Sequence, residues 1–266
     1  MKEKLLRNSG YAAKRPFLPL FSGGVPILVY HKLGPLPQGV KLKTLYVEEG
    51  LFAWQMRDLK RGEFGGFASE SLAQWRNFPK SDPARAVLTF DDGSRSVFRH
   101  AMPHLASNGF KAIQFLVADA IGGVNHWDIR DTQEAADQLM DAVEIREWLA
   151  AGNEIGAHTL THPRLTEIPE SQAREEIFSS KKKLEDEFGI PIRHFCYPYG
   201  KWNRRIRDLT EQAGYETAVT LAFGVNAKVD DPFALQRIGV RHPSRNFRNV
   251  LGLLLSGFPP RYFRQR

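Results

Sequence analysis

Short apolar runs alternate with longer amphipathic stretches along this chain, and a glycine repeatedly stands between them. The runs at 25–30, 86–90, 112–117, 154–157, 194–197, 217–221 and 235–240 are rich in β-branched and aromatic residues and read as buried strands. The stretches 51–60, 94–107, 142–151, 170–188, 204–213 and 244–255 carry apolar residues at helical spacing. Gly109, Gly152, Gly189 and Gly214 each follow such a stretch, where a left-handed cap is wanted, and a strand candidate comes soon after. A strand, helix, glycine, strand rhythm with about seven strands is the β/α pattern of a parallel sheet or barrel. The segments 67–83 and 121–133 break it and read as irregular connections, which in compact domains often border a site.

The chain has 266 residues, 42% of them hydrophobic, enough for one large core and no reason to divide it in halves. A single cysteine excludes a disulfide framework and a multi-cysteine zinc site. Nothing approaches the ~20 apolar residues of a membrane span, and the basic N-terminal residues are not followed by a signal-like apolar core. The expected location is therefore cytoplasmic. The net charge of +7 suits solubility as well as an anionic partner, and no recognisable nucleic-acid module accompanies it.

Three motifs sit at strand ends. Thr89-Phe90-Asp91-Asp92-Gly93 follows the second strand. Adjacent carboxylates repel unless a cation or shared proton compensates, although a bare Asp-Asp-Gly also reads as a solvated turn. His158-Thr159-Leu160-Thr161-His162 follows the fourth strand. Two imidazoles four residues apart can converge on one ion, with a carboxylate completing a three-ligand site; two surface histidines are the alternative. Phe195-Cys196-Tyr197-Pro198-Tyr199-Gly200 ends the fifth strand in a tight turn whose amides and rings suit a ligand as well as a core.

In this order and spacing the motifs resemble the polysaccharide deacetylase family, the NodB-homology or carbohydrate esterase 4 class, over residues 25–241. The segment 120–128, which contains Trp127, is similar to a loop of some bacterial members. The resemblance implies an α/β fold, a distorted (β/α)7-type barrel in a single domain. An N-terminal extension (1–24), the barrel (25–243) and a C-terminal helix with a basic tail (244–266) would make up the chain. It further implies Asp91 as general base and Asp92, His158 and His162 as ligands of one divalent ion. Zinc is the default, with cobalt, nickel or iron(II) as alternatives. A backbone N–H near Tyr199 would hold the oxyanion, with Tyr197 and Trp127 as further substrate contacts.

Many members place the general acid in a Leu-x-His segment near the C-terminus, which is lacking here. Ile27-Leu28-Val29-Tyr30-His31 resembles the order of the exopolysaccharide deacetylases, which puts His31 in that role, with His242 as competitor. Many members also carry an arginine, which orients the base, where this chain has Cys196. Arg237 is the candidate replacement. The implied reaction removes an N-acetyl group from a sugar, a glycan, or a lipid- or nucleotide-linked sugar. Hydrolysis of another non-peptide C–N bond, and carbohydrate binding by an impaired site, are the alternatives. The C-terminal tail, apolar then basic, can rest on an anionic membrane or be an ordinary packed helix with a frayed end.

Overall fold

The computed structural model describes residues 25–61, 72, 86–132 and 134–240. In chain order the strands are β1 (Ile27–Tyr30), β2 (Lys32–Leu33), β3 (Tyr46–Val47), β4 (Val87–Phe90), β5 (Ile113–Leu116), β6 (Glu154–Ala157), β7 (His194–Cys196), β8 (Thr217–Phe223) and β9 (Leu235–Gly239). Seven of them form a closed barrel in the order β1-β4-β5-β6-β7-β8-β9, all pairs parallel. β9 closes on β1 through Leu28 opposite Ile238 and Val29 opposite Gly239. The remaining two, β2 and β3, make a small sheet beside it, absent from the sequence reading because two-residue strands carry no periodicity.

The helices are α1 (Glu49–Arg61), α2 (Arg95–His100), α3 (Met102–Asn108), α4 (His126–Thr132), α5 (Ala142–Ala150), α6 (Glu170–Phe188) and α7 (Arg204–Gln212). Gly109, Gly152, Gly189 and Gly214 all adopt the positive φ expected of them. The expected single helix over 94–107 is instead two, parted at Ala101, since Pro103 starts a new first turn and has no N–H to continue the old ladder. The connection 121–133, expected to be irregular, contains α4. The segments 67–83 (apart from Leu72) and 244–255 lie outside the described residues.

Strand alternation divides the core in two. Ile27, Val87, Ile113, Phe115, Cys196, Val219 and Leu235 pack together inside the barrel. Their neighbours, among them Leu28, Tyr30, Leu88, Phe90, Phe195 and Tyr197, face the helices. Burial on both faces is why these strands read as unbroken apolar runs, and each such side chain contributes about 1.5–3 kcal/mol. Gly156 stands among the inward positions of β6. A Cβ there would lie 2.5 Å from the Phe115 ring and 2.8 Å from the His194 carbonyl oxygen. Gly156→Ala is expected to destabilise the protein by about 1–3 kcal/mol through overpacking, measured by denaturant unfolding. An unchanged midpoint would contradict this reading of the barrel interior.

Candidate active site

Period-two alternation carries the inward face of each strand past its last residue. His31 shares the parity of Ile27, Asp91 that of Val87, and Arg237 that of Leu235, while Cys196 lies on the inner face of β7. His158 continues the inward parity of Gly156 on β6. Five strands thus deliver their polar residues to one mouth of the barrel, at the strands' C-terminal ends.

Arg237 is the deepest of these groups, with a fully buried side chain. Its two terminal nitrogens donate to the two oxygens of Asp91, each at 2.7 Å. One of them also donates to Thr89 Oγ1 (3.1 Å) and the other to Cys196 Sγ (3.2 Å), while Nε donates to the Thr220 carbonyl (2.7 Å). The small thiol at 196 leaves the space into which the guanidinium reaches from β9. Burial alone would raise the Asp91 pKa, but the facing guanidinium outweighs it and holds the carboxyl below its usual value. His31 Nε2 stands 3.8 Å from Asp91 Oδ2.

Beside this pair, Asp92 Oδ1 lies 3.5 Å from His158 Nε2 and 3.6 Å from His162 Nε2, and the two imidazole nitrogens are 3.2 Å apart. Ligands bonded to one ion at about 2.0–2.1 Å in tetrahedral array stand roughly 3.4 Å from each other. The spacing therefore fits a single divalent cation, and the donor set of two imidazoles and a carboxylate suits a borderline metal. All three residues are buried. His158 is oriented by its Nδ1–H, which donates to the Cys196 carbonyl at 2.8 Å and leaves Nε2 to face the other donors. Burial and the adjacent His158 push His162 down to about 3, which keeps that ring neutral.

His162 lacks the hydrogen bond that usually orients a ligating histidine, since its Nδ1 is buried with no partner. Rings hold it instead. Trp127 stacks on it at 4.6 Å, and Tyr199 meets it edge-on at 4.7 Å. The loop that carries it is fastened by buried Glu176 of α6, which accepts from the Leu160 and Thr161 amides (2.9 Å each) and the Thr161 hydroxyl (2.6 Å). Asp92, Thr159, His162 and Tyr199, all with positive φ, are the non-glycine residues in that region among the described residues. Each costs of order 1–3 kcal/mol, and such strain gathers where surrounding structure enforces a functional geometry.

The structure alters two expectations about substrate contacts. Tyr197 faces the helices, stacks on Trp202 and donates to the Phe233 carbonyl at 3.0 Å, so it offers nothing to the mouth. Strand parity explains this, since residue 197 must point opposite to Cys196. Trp127 is only 3% exposed and spends its ring face on His162. Tyr199 does lie at the rim, with its hydroxyl donating to Asp131 at 3.1 Å. His242 lies outside the described residues.

Sequence reasoning missed Glu176 and a buried cluster around Lys32, whose ammonium sits 3.3 Å from Asp128 and 3.7 Å from Asp137 and ties α4, with its Trp127, to β2. The signal for Glu176 was a carboxylate on the apolar face of α6, among Ala173, Ile177, Ser180 and Leu184. Nothing local marked Lys32, because its partners lie about a hundred residues away.

The Arg237–Asp91 pair yields a stability test. Arg237→Met leaves a buried carboxylate alone and is expected to cost about 3–5 kcal/mol. Adding Asp91→Asn should return a large part of that loss, read as a coupling energy in a double-mutant cycle. Simple additivity of the two losses would contradict the pairing.

Comparison with known proteins agrees with this architecture. The family model described as polysaccharide deacetylase matches residues 79–218. YxkH of Bacillus subtilis, a protein named for that family, is 26% identical over 217 residues, which cover 81% of this chain and 71% of the relative. Among solved structures, the deacetylase PplD of Streptococcus pyogenes shares the fold at a TM-score of 0.69 and 21% identity, over 89% of this chain and 99% of the other. IcaB of Ammonifex degensii does so at 0.69 and 23%, over 87% and 97%. With the model matched over more than half of its length, the chain belongs to the polysaccharide deacetylase family.

Proposed function

We propose that this protein is a metal-dependent hydrolase that removes N-acetyl groups from an N-acetylated sugar or glycan and releases acetate. The convergence of Asp92, His158 and His162 beside a second carboxylate clamped by arginine carries the reading. A divalent ion held by those three residues would supply Lewis-acid polarisation of the amide carbonyl and of the attacking water; zinc is the first candidate.

Asp91 is the general base. The Arg237 fork occupies one direction on each of its oxygens, and each oxygen keeps a further lone pair for the water proton. Its lowered pKa keeps it ionised, and thus able to accept, well into mildly acid solution. A rigid bidentate clamp also fixes the carboxylate plane toward the mouth, which a lysine could not do. His31, close to the same carboxylate and partly exposed, is the general acid that protonates the departing nitrogen. The C–N bond then breaks, leaving a free amine and acetate. The Gly200 and Lys201 amides are spent in closing the turn onto Tyr197 and Pro198; the Tyr199 amide in that turn is the donor assigned to the developing oxyanion.

The glycan reading also draws on the relatives, whose names refer to peptidoglycan N-acetylglucosamine and chitooligosaccharides, although this chain covers only 23% and 32% of the lengths of two of them. Among the described residues no helix is long and apolar enough to cross a membrane.

Acetate release from N-acetylhexosamine oligomers is the direct test. Activity should vanish with chelator and return with added divalent metal. Asp92→Ala and His158→Ala should lose both bound metal and turnover. His31→Ala should keep its metal and lose about 10²–10⁴-fold in kcat. Metal-loaded protein that releases no acetate from any N-acetylated sugar would overturn the proposal.

A further inference from the structure

The mouth of the site is lined with charge where a neutral sugar would want a bare ring. Trp127 is buried against His162. Tyr199, whose ring meets His162 edge-on, carries the Arg164 guanidinium over its ring at 4.2 Å. Arg164 lies two residues beyond His162, on the same strained loop, and is pinned by stacking. It also donates to Asp131 Oδ2 at 3.0 Å. Asp131 Oδ1 accepts from Arg130 at 2.7 Å. Among the described residues, one carboxylate therefore serves two guanidiniums and a tyrosine hydroxyl, which leaves an excess of positive charge in this group.

The side chains of Arg130 and Arg164 are 66% and 39% exposed, while that of Asp131 is 18% exposed. Each guanidinium has five N–H donors in a planar fork, so both retain donors for a ligand. The Arg164 guanidinium is two ring contacts from the ion site, 4.2 Å and then 4.7 Å. A substrate whose acetamido group sits at the ion site would present a neighbouring substituent toward this rim. Guanidinium forks match phosphate oxygens in geometry as well as charge.

We infer that the substrate carries a phosphoryl group beside its N-acetyl group, and that Arg164, assisted by Arg130, recognises it. This rests on the deacetylase reading above and narrows its substrate to a phosphorylated amino sugar, whether free, nucleotide-linked or lipid-linked. In this arrangement Tyr199 acts as a platform for the arginine rather than for the sugar, and Asp131 holds the two cations in place.

A matched pair of probes tests it: N-acetylglucosamine 1-phosphate and its neutral methyl glycoside, with metal-loaded full-length protein. The phosphorylated sugar should show a KM about tenfold or more below that of the glycoside, with the advantage shrinking as salt is raised. Arg164→Gln should bring the ratio of the two KM values close to one, and Arg130→Gln should lower it part-way. Uridine-diphosphate-linked and lipid-diphosphate-linked N-acetylglucosamine, run alongside, distinguish the sources of the phosphate.

Equal KM values in the wild type, or a ratio that survives Arg164→Gln, would overturn the inference and leave the deacetylase intact. Arg164-dependent binding of the phosphorylated sugar by calorimetry, without acetate release from any probe, would do the reverse. An unchanged melting temperature of Arg164→Gln shows that the variant is folded.

Discussion

Three electron-rich atoms held within 3.6 Å of each other, on largely buried side chains, need a positive charge among them. Asp92, His158 and His162 come from the ends of two strands, and their side chains have few alternatives once the backbone is set. A proton serves such a cluster only in part: burial lowers the His158 pKa, but Cys196 and Asp92 outweigh it and raise it well above its ordinary value, so one proton can pair that ring with Asp92 while His162 stays neutral. A divalent ion satisfies all three at once. The remaining features of the mouth, from the strained loop to the rings around His162, are intelligible as means of holding that convergence.

The second fixed point is the ion pair across the barrel. Arg237 enters from β9, Asp91 from β4 and Cys196 from β7, so one guanidinium ties together three strands. An isolated buried charge would be very expensive, but here each desolvated group meets its opposite with good geometry. The pairing keeps the Asp91 carboxyl ionised and its plane fixed, while Asp92, its neighbour in sequence, turns the other way through a left-handed backbone. Adjacent residues of one dipeptide thereby take separate tasks, one toward a guanidinium and the other toward an ion site.

Most of the barrel was legible because burial on both faces writes strands as continuous apolar runs, and glycine marks the ends of four of the helices. Parity alone then aims His31, Asp91, His158, Cys196 and Arg237 inward. The same parity, left unapplied, would have turned Tyr197 away from the mouth. What escaped was set by long-range packing. Nothing near Trp127 says that its ring will cover His162, nor does anything near Lys32 announce two carboxylates brought from beyond β5. The pairing of β2 with β3, too, rests on four residues with no repeat to reveal them.

X-ray absorption at the metal edge of the loaded protein is the most direct measure of the ion site. The arrangement of Asp92, His158 and His162 calls for two imidazole nitrogens and one carboxylate oxygen near 2.0–2.1 Å, roughly as such ligands stand about zinc, and in His162→Ala for loss of the ion or of one imidazole from its shell. A first shell containing sulfur, or one unchanged by the loss of His162, would place the ion elsewhere and contradict the site.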